Sequence, residues 1–405
     1  MSSLFVRRVK LTNFLSFGPE TPPLELEPLN VLIGPNGSGK SNLIEAFELL
    51  RATPHDLTAP LRDGGGAGEW LWKGTVPPGS ALIEARLSAN GRVPELRYFM
   101  EFGQTNNRLA VLKEVLEEGE KRAPEDHDVP FYYRYLNGTA TLNARQFGKP
   151  GAEPLAVAYS PMQLLIASVN PEQSVFSQRR DPDLYPELTG VGQSFDRIRC
   201  FREWCFGRSA LQRQSQPADL PGDELMPDGR NLGLVLNNLQ NRECWPGIEG
   251  YLRRFLPKFD RLATPIIGGG VQIHLREHGL RAAVPATRLS DGTIRFLLLL
   301  AILLHPEPPP LLCLEEPELG MHPDALPLIA ELLLETSART QLIVTTHSDA
   351  LVSALGDQPE TVIVCERTPT GTRLERLEPG RVKPWLERYA LGELWLKGQL
   401  GGVRW

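Results

Sequence analysis

The chain has 405 residues, 41% hydrophobic and 23% charged, the composition of an ordinary soluble globular protein large enough for more than one lobe. Lys and Arg number 43 against 49 Asp and Glu, a net charge of −6, which excludes binding to nucleic acid through overall charge and leaves only a local basic surface for such contact. No apolar run reaches the about 20 residues of a membrane span, and the first residues lack the apolar region of a signal peptide, so a cytoplasmic protein without a membrane contact is expected.

In chain order, residues 4–11, 24–27 and 31–33 alternate or run apolar as strands do, and 42–50 carries a helical pattern. Turn formers crowd 63–68. Strand-like pieces follow at 81–88, 95–102, 108–116 and 131–135, in series with short turns, which predicts an antiparallel sheet. From about 160 to 260 the pattern turns helical, with helices expected at 194–206 and 231–238 and a loop at 217–227. Residues 262–286 return to strand character. A helix at 291–304, a buried strand at 311–314, a helix at 324–335, strands at 341–345 and 361–365 and a last helix at 383–398 complete the chain. The five cysteines at 200, 205, 244, 313 and 365 have no metal-site spacing and read as buried free thiols.

Chemistry concentrates first in Val31-Leu-Ile-Gly-Pro-Asn-Gly-Ser-Gly-Lys-Ser-Asn42. Gly34, Gly39, Lys40 and Ser41 complete G-x-x-x-x-G-K-[ST], after an apolar strand and before a helix. Backbone N–H groups of residues 37–41 would point at phosphate, aided by the dipole of the helix that follows, and Asn36, Gly37, Ser38, Gly39 and Asn42 join the candidate nucleotide-binding residues. Lys40 would reach the β- and γ-phosphates and Ser41 would bind Mg²⁺.

A second motif is Leu311-Leu-Cys-Leu-Glu-Glu-Pro-Glu-Leu-Gly-Met-His322. Its buried strand ends in Glu315, placed for the Mg²⁺ shell, and Glu316, placed to polarise an attacking water. A third, Leu289-Ser-Asp-Gly292, precedes a very apolar helix. Ser290, Asp291 and Gly292 at a helix start make a second anion site or a plain capped helix. If it is an anion site, Ser290 of one subunit would cap the γ-phosphate held by Lys40 of another. The fourth, Leu342-Ile-Val-Thr-Thr-His-Ser348, puts His347 at the end of a strand expected beside the 311–314 strand, within reach of the γ-phosphate or the water.

The order and spacing of these four motifs resemble the ABC-type ATPase heads of the RecF, SMC and OLD group, most of all compact RecF-like ATPases without a coiled coil. The resemblance spans nearly the whole chain. It implies a P-loop α/β fold with a mixed, mostly parallel core sheet, a flanking antiparallel sheet and a helical lobe. On that plan 1–160 is the nucleotide-binding lobe, 161–305 the helical lobe ending in the signature motif, and 306–405 the last part, carrying the acidic strand and switch His347. It further implies ATP and Mg²⁺ as cofactors, slow ATP hydrolysis and an ATP-dependent homodimer. Glu318 to His322 match the loop that follows the acidic strand, and Asn13 with Phe14 match an N-terminal segment near base and ribose. The family's metal-sensing glutamine is assigned to Gln178, with Gln163 and Gln173 as alternatives. Two departures stand out. Asp291 replaces a second signature glycine, and Leu15 stands where many relatives have arginine after Asn-Phe.

Arg197, Arg199, Arg202, Arg208 and Arg213 are interleaved with Phe201, Trp204 and Phe206. They form either a nucleic-acid surface or the solvated face of an amphipathic helix. The expected function is an ATPase whose dimerisation is coupled to double-stranded DNA and its repair, or one that controls a separate effector such as a nuclease or toxin. A built-in nuclease is disfavoured, because Asp357 is the last aspartate and a two-metal site needs clustered acids. A six-fold AAA+ ring has no use for Leu289 to Gly292.

Overall fold

The computed structural model describes residues 4–74, 79–88, 95–120, 128–136, 138–145, 159–164, 169–202 and 204–402. Two large sheets organise them. One has eight antiparallel strands in the spatial order Leu24–Glu25, Val6–Thr12, Ser80–Leu87, Leu96–Thr105, Arg108–Glu118, Phe131–Leu136, Thr139–Arg145 and Tyr159–Leu164. Alternation dictates its inner face: Ala81, Ile83, Ala85 and Leu87 are buried, and the residues between them are half-exposed.

The other sheet has six strands in the order Arg199–Phe201, Leu311–Glu315, Gln341–Thr345, Leu29–Ile33, Val362–Thr368 and Gly371–Arg376. The first five run parallel and the last pairs antiparallel. Parallel strands are covered on both faces and so read as continuous apolar runs. Leu32, Cys313, Ile343 and Ile363 point into one core, shared with the antiparallel sheet and the helix Lys40–Ala52. Val31, Leu312, Leu314, Val344 and Val364 point into the other, filled by the helices Leu232–Leu239, Asp291–Leu303 and Leu326–Ser337. The helix Asp291–Leu303 is buried from Thr293 to Leu303, because it is apolar all round and lies inside this second layer. The chemistry-bearing residues follow the C-terminal ends of the parallel strands, where such sheets place their ligands.

Four expectations need correction. The helix expected at 194–206 ends at Asp196, and Arg199–Phe201 is a strand with Cys200 beside Cys313 and Phe201 beside Leu314. A partner strand more than a hundred residues away decides this, and no local pattern announces it. The last helix is two, Pro379–Leu386 and Leu391–Leu396. The stretch 161–305 is mixed and contains two small three-stranded sheets built from 216–285. Among the cysteines, Cys200, Cys313 and Cys365 are buried free thiols, but Cys205 is exposed and Cys244 half-buried. Among the described residues no helix is long and apolar enough to cross a membrane.

Candidate nucleotide site

The strand Leu29–Ile33 turns at Gly34 and the helix begins at Lys40, with Gly39 as its N-cap at φ 102°. A Cβ on Gly39 would lie 2.3 Å from Thr372 Oγ1 and 2.5 Å from Ser16 Oγ, so only glycine fits. Gly37, at φ 77°, would meet nothing within 4 Å, so its demand for glycine is one of backbone conformation and its face of the loop is open. Thr372 of the last strand braces the loop: its hydroxyl donates to Ser38 O at 2.8 Å and lies 2.7 Å from Ser16 Oγ. Ser38 Oγ is buried without a hydrogen-bond partner, and Asn36 is exposed at the loop tip.

Lys40 Nζ donates to Gly34 O at 2.8 Å and to Pro35 O at 3.1 Å. Burial lowers its pKa, and nearby acids including Glu316 and Glu315 pull it back up. Ser41 Oγ donates to Glu315 Oε1, across 274 residues of sequence. A hydroxyl and a carboxylate facing one another are hard oxygen donors and fit Mg²⁺. Among the described residues no three His, Cys, Asp or Glu cluster to hold a metal, so Mg²⁺ here would rest on Ser41, Glu315 and the phosphates it accompanies.

The other oxygen of Glu315 accepts from Arg202 Nε at 2.9 Å. The same guanidinium reaches Glu48 at 2.9 Å and Glu45 at 3.1 Å, both on the helix that starts at Lys40. Burial alone would weaken its hold on the proton, but Glu315, Glu48 and Glu45 outweigh it and the pKa rises. Sequence reasoning placed Arg202 on a basic helix and missed this. The strand Arg199–Phe201, paired alongside Leu312–Leu314, is what delivers Arg202 to the level of Glu315.

Glu316 takes φ 45°, the left-handed region that costs a non-glycine residue about 1 kcal/mol or more. Its N–H donates to Thr345 O at 3.0 Å, and its Oε1 lies 3.4 Å from His347 Nε2. Glu318 holds the histidine's backbone: its Oε1 accepts from Thr346 Oγ1 at 2.5 Å and from His347 N at 3.2 Å. Its Oε2 is buried without a partner, and burial raises its pKa. Lys40, Ser41, Glu315, Glu316 and His347 thus stand at one end of one sheet.

Ser290 is the N-cap of the helix Asp291–Leu303 and accepts from Thr293 N at 3.0 Å. Asp291 turns from the helix axis: its Oδ1 accepts from Arg213 Nη2 at 2.5 Å and from Gly207 N at 3.0 Å. Gly292 faces the loop after Glu318, where a Cβ would lie 3.5 Å from Gly320 O. Arg295, one turn on, donates to Leu319 O and stands 4.6 Å from the Phe206 ring centre and 5.6 Å from that of Trp204. The hydrogen bonds of Ser290 and Asp291 go to neither Lys40, Ser41 nor Glu315.

Other assignments fare differently. Phe14 is fully buried, edge-on to Trp70 at 5.6 Å and to Phe102 at 6.3 Å, so its ring is core and cannot stack on a base. Asn13 is committed through its backbone, with Trp72 N donating to its carbonyl at 2.9 Å. Beside it opens a cleft of about 430 Å³ lined by Leu15, Ser16, Asn42, Trp72, Lys73 and Arg367. Glu69 lines it too and is ion-paired with Lys73, so Arg367 is the cation of the cleft without that partner. The Gln178 amide closes on its own turn: Oε1 accepts from Asn170 N at 2.8 Å, and Nε2 donates to Asn170 O at 3.1 Å and Gln173 O at 3.0 Å. It is therefore brought to neither Ser41 nor Glu315. Gln173 is exposed, and the Gln163 side chain lies outside the described residues.

The arginine run is largely committed inside the chain. Arg197 donates to Pro308 O, Arg199 to Glu224, Arg202 to the three glutamates, and buried Arg213 to Ala286 O, Leu289 O and Asp291.

Comparison with solved structures agrees with this architecture. An SMC head bound to the C-winged helix domain of ScpA is 12% identical with a TM-score of 0.56, over 94% of this chain and 99% of that one. An Smc head with an extended coiled coil from Pyrococcus furiosus, bound to the C-terminal domain of ScpA, is 12% identical at 0.56, over 95% and 98%. The Smc head with coiled coil and joint from Pyrococcus yayanosii is 11% identical at 0.51, over 95% and 99%. At such identities the likeness is one of fold, that of the P-loop ATPase head. A family profile described as "AAA domain, putative AbiEii toxin, Type IV TA system" matches residues 29–155 and 217–353, more than half of the chain. The chain belongs to that family of AAA-domain P-loop ATPases.

Proposed function

We propose that the chain binds and hydrolyses Mg·ATP, and that two copies close head to tail on two nucleotides and reopen on hydrolysis. One observation carries the reading. Lys40, Ser41, Glu315, Glu316 and His347 are assembled within one chain, whereas Ser290 caps its own helix through Thr293 N and makes no bond to them. A second copy brings Ser290 to the γ-phosphate. In this mechanism Lys40 leaves the carbonyls of Gly34 and Pro35 for the β- and γ-phosphates. Ser41 and Glu315 would hold the magnesium ion, which when bound would supply charge neutralisation at the phosphates. Glu316 orients the water, and His347 bonds the γ-phosphate or that water.

For the output, we favour control of a separate effector protein. The family description names a toxin–antitoxin system, the ScpA-bound heads are structural neighbours, and the arginines suited to DNA are engaged with this chain's own carboxylates and carbonyls. Double-stranded DNA, and with it DNA repair, is the second reading, open to basic groups outside that run.

Size-exclusion chromatography with light scattering tests the core of this reading. With ATP and Mg²⁺, Glu316→Gln should run as a dimer and Lys40→Ala as a monomer. A monomeric Glu316→Gln under all conditions contradicts it. Applied to the trapped dimer, co-purification of a stoichiometric protein supports the effector reading, and ATP-dependent retention of a DNA duplex supports the other.

A further inference from the structure

Arg202 places a fixed positive charge on the acidic group that a nucleotide's magnesium would approach. Its guanidinium donates to Glu315 Oε2 at 2.9 Å, while Oε1 of the same carboxylate accepts from Ser41. The remaining nitrogens bond Glu48 and Glu45, so one cation serves three carboxylates on two elements. Its side chain is 24% exposed, and those of Glu315, Glu45 and Glu48 are 19%, 23% and 28% exposed, so solvent screens the group only in part. Arginine stays protonated at any pH of interest, and its fork geometry suits several carboxylates at once.

The electrostatic consequence has one sign. Without Arg202, the charge of Glu315 beside Ser41 and of the neighbouring Glu45 and Glu48 would stand uncompensated, raising the site's attraction for a divalent cation and repelling polyphosphate that arrives alone. With Arg202, part of the metal's charge-neutralising work is done by the protein. We propose that Arg202 sets the metal dependence of nucleotide binding, making the site tolerant of metal-free nucleoside triphosphate and lowering the gain in affinity that Mg²⁺ brings. Arg202 is a specificity-determining residue here, acting on the metal requirement through Glu315. The inference rests on the nucleotide-site reading above.

The test is a titration of the full chain with a fluorescent ATP analogue, once in EDTA and once in excess Mg²⁺. The quantity read is the ratio of the two dissociation constants. Arg202→Gln should raise the benefit of Mg²⁺ on the order of tenfold over wild type, chiefly by weakening binding in EDTA. Arg202→Lys, which keeps the charge, should fall near wild type. Loss of the guanidinium leaves half-buried carboxylates without their cation, so thermal melts accompany the titration. If Arg202→Gln does not fold, Arg202→Gln with Glu48→Gln removes one of those carboxylates and is expected to shift the ratio in the same direction. A folded variant whose ratio stays within about twofold of wild type overturns the proposal. Failure of wild type to bind nucleotide in either buffer overturns the nucleotide-site reading itself, so the two failures are distinguishable.

Discussion

Asp291 and Arg213 are paired at the start of the helix Asp291–Leu303, Oδ1 to Nη2 at 2.5 Å, with the guanidinium buried and the carboxylate half-exposed. The carboxylate of Asp291 is thereby engaged by a residue 78 positions earlier. Arg213 also caps the carbonyls of Ala286 and Leu289, so it holds the loop whether or not Asp291 is charged.

Arg213→Ala is expected to destabilise the fold by about 2 kcal/mol, because the Leu289 carbonyl loses the Arg213 donor, while Ala286 O keeps Leu289 N and Asp291 keeps Gly207 N. Asp291→Asn keeps an acceptor and should cost under about 1 kcal/mol, since the carboxylate is well screened. The hydrogen bond from Arg213, then that from Gly207, lowers the Asp291 pKa. The sign follows: this carboxylate's stabilisation is full above the ordinary aspartate pKa of about 4 and is lost as pH falls below it. Thermal melts of both variants between pH 7 and pH 3 check it, and the gap between wild type and Asp291→Asn should shrink at the acid end.

Thr372→Val should weaken nucleotide binding several-fold and lower stability by about 1 kcal/mol, because the phosphate loop loses its brace at Ser38 O. Titration with a fluorescent nucleotide reads the first effect and denaturant unfolding the second. An unchanged affinity would show that the loop holds its shape without the last strand.

Glu318→Gln addresses the buried carboxylate under His347. Burial raises its pKa, so as pH rises from the ordinary glutamate value of about 4.3 toward the folded-state value the ionised side chain progressively costs stability. Glutamine keeps the acceptor used by Thr346 and His347. The variant should therefore match wild type near pH 4 and equal or exceed it near pH 7. A series of melts across that range decides the matter, and a variant much less stable at pH 7 would contradict it.

The parts of the site legible in the sequence were those carried by contiguous residues. Gly34 to Ser41 announces its turn through glycines that the backbone requires, and Leu311 to Glu316 announces a two-sided buried strand ending in acids. His347 became readable once its strand was placed beside Leu311–Glu315. What stayed hidden depends on distant pairing. Arg202 sits where it does because Arg199–Phe201 joins Leu312–Leu314, and the run around it has helical spacing and no turn signal. Thr372 reaches Ser38 only through the antiparallel edge of the parallel sheet. Phe14 and Gln178 were placed by resemblance alone, and their surroundings differ: one is locked in the core against Trp70, the other is closed onto Asn170.

The central claim is that Ser290 completes the site of another molecule. Light scattering of Glu316→Gln with Ser290→Arg, in ATP and Mg²⁺, tests it most directly beside Glu316→Gln alone. The account predicts a dimer for the single variant and a folded monomer that still binds ATP for the double variant. A double variant that remains dimeric with ATP would contradict it.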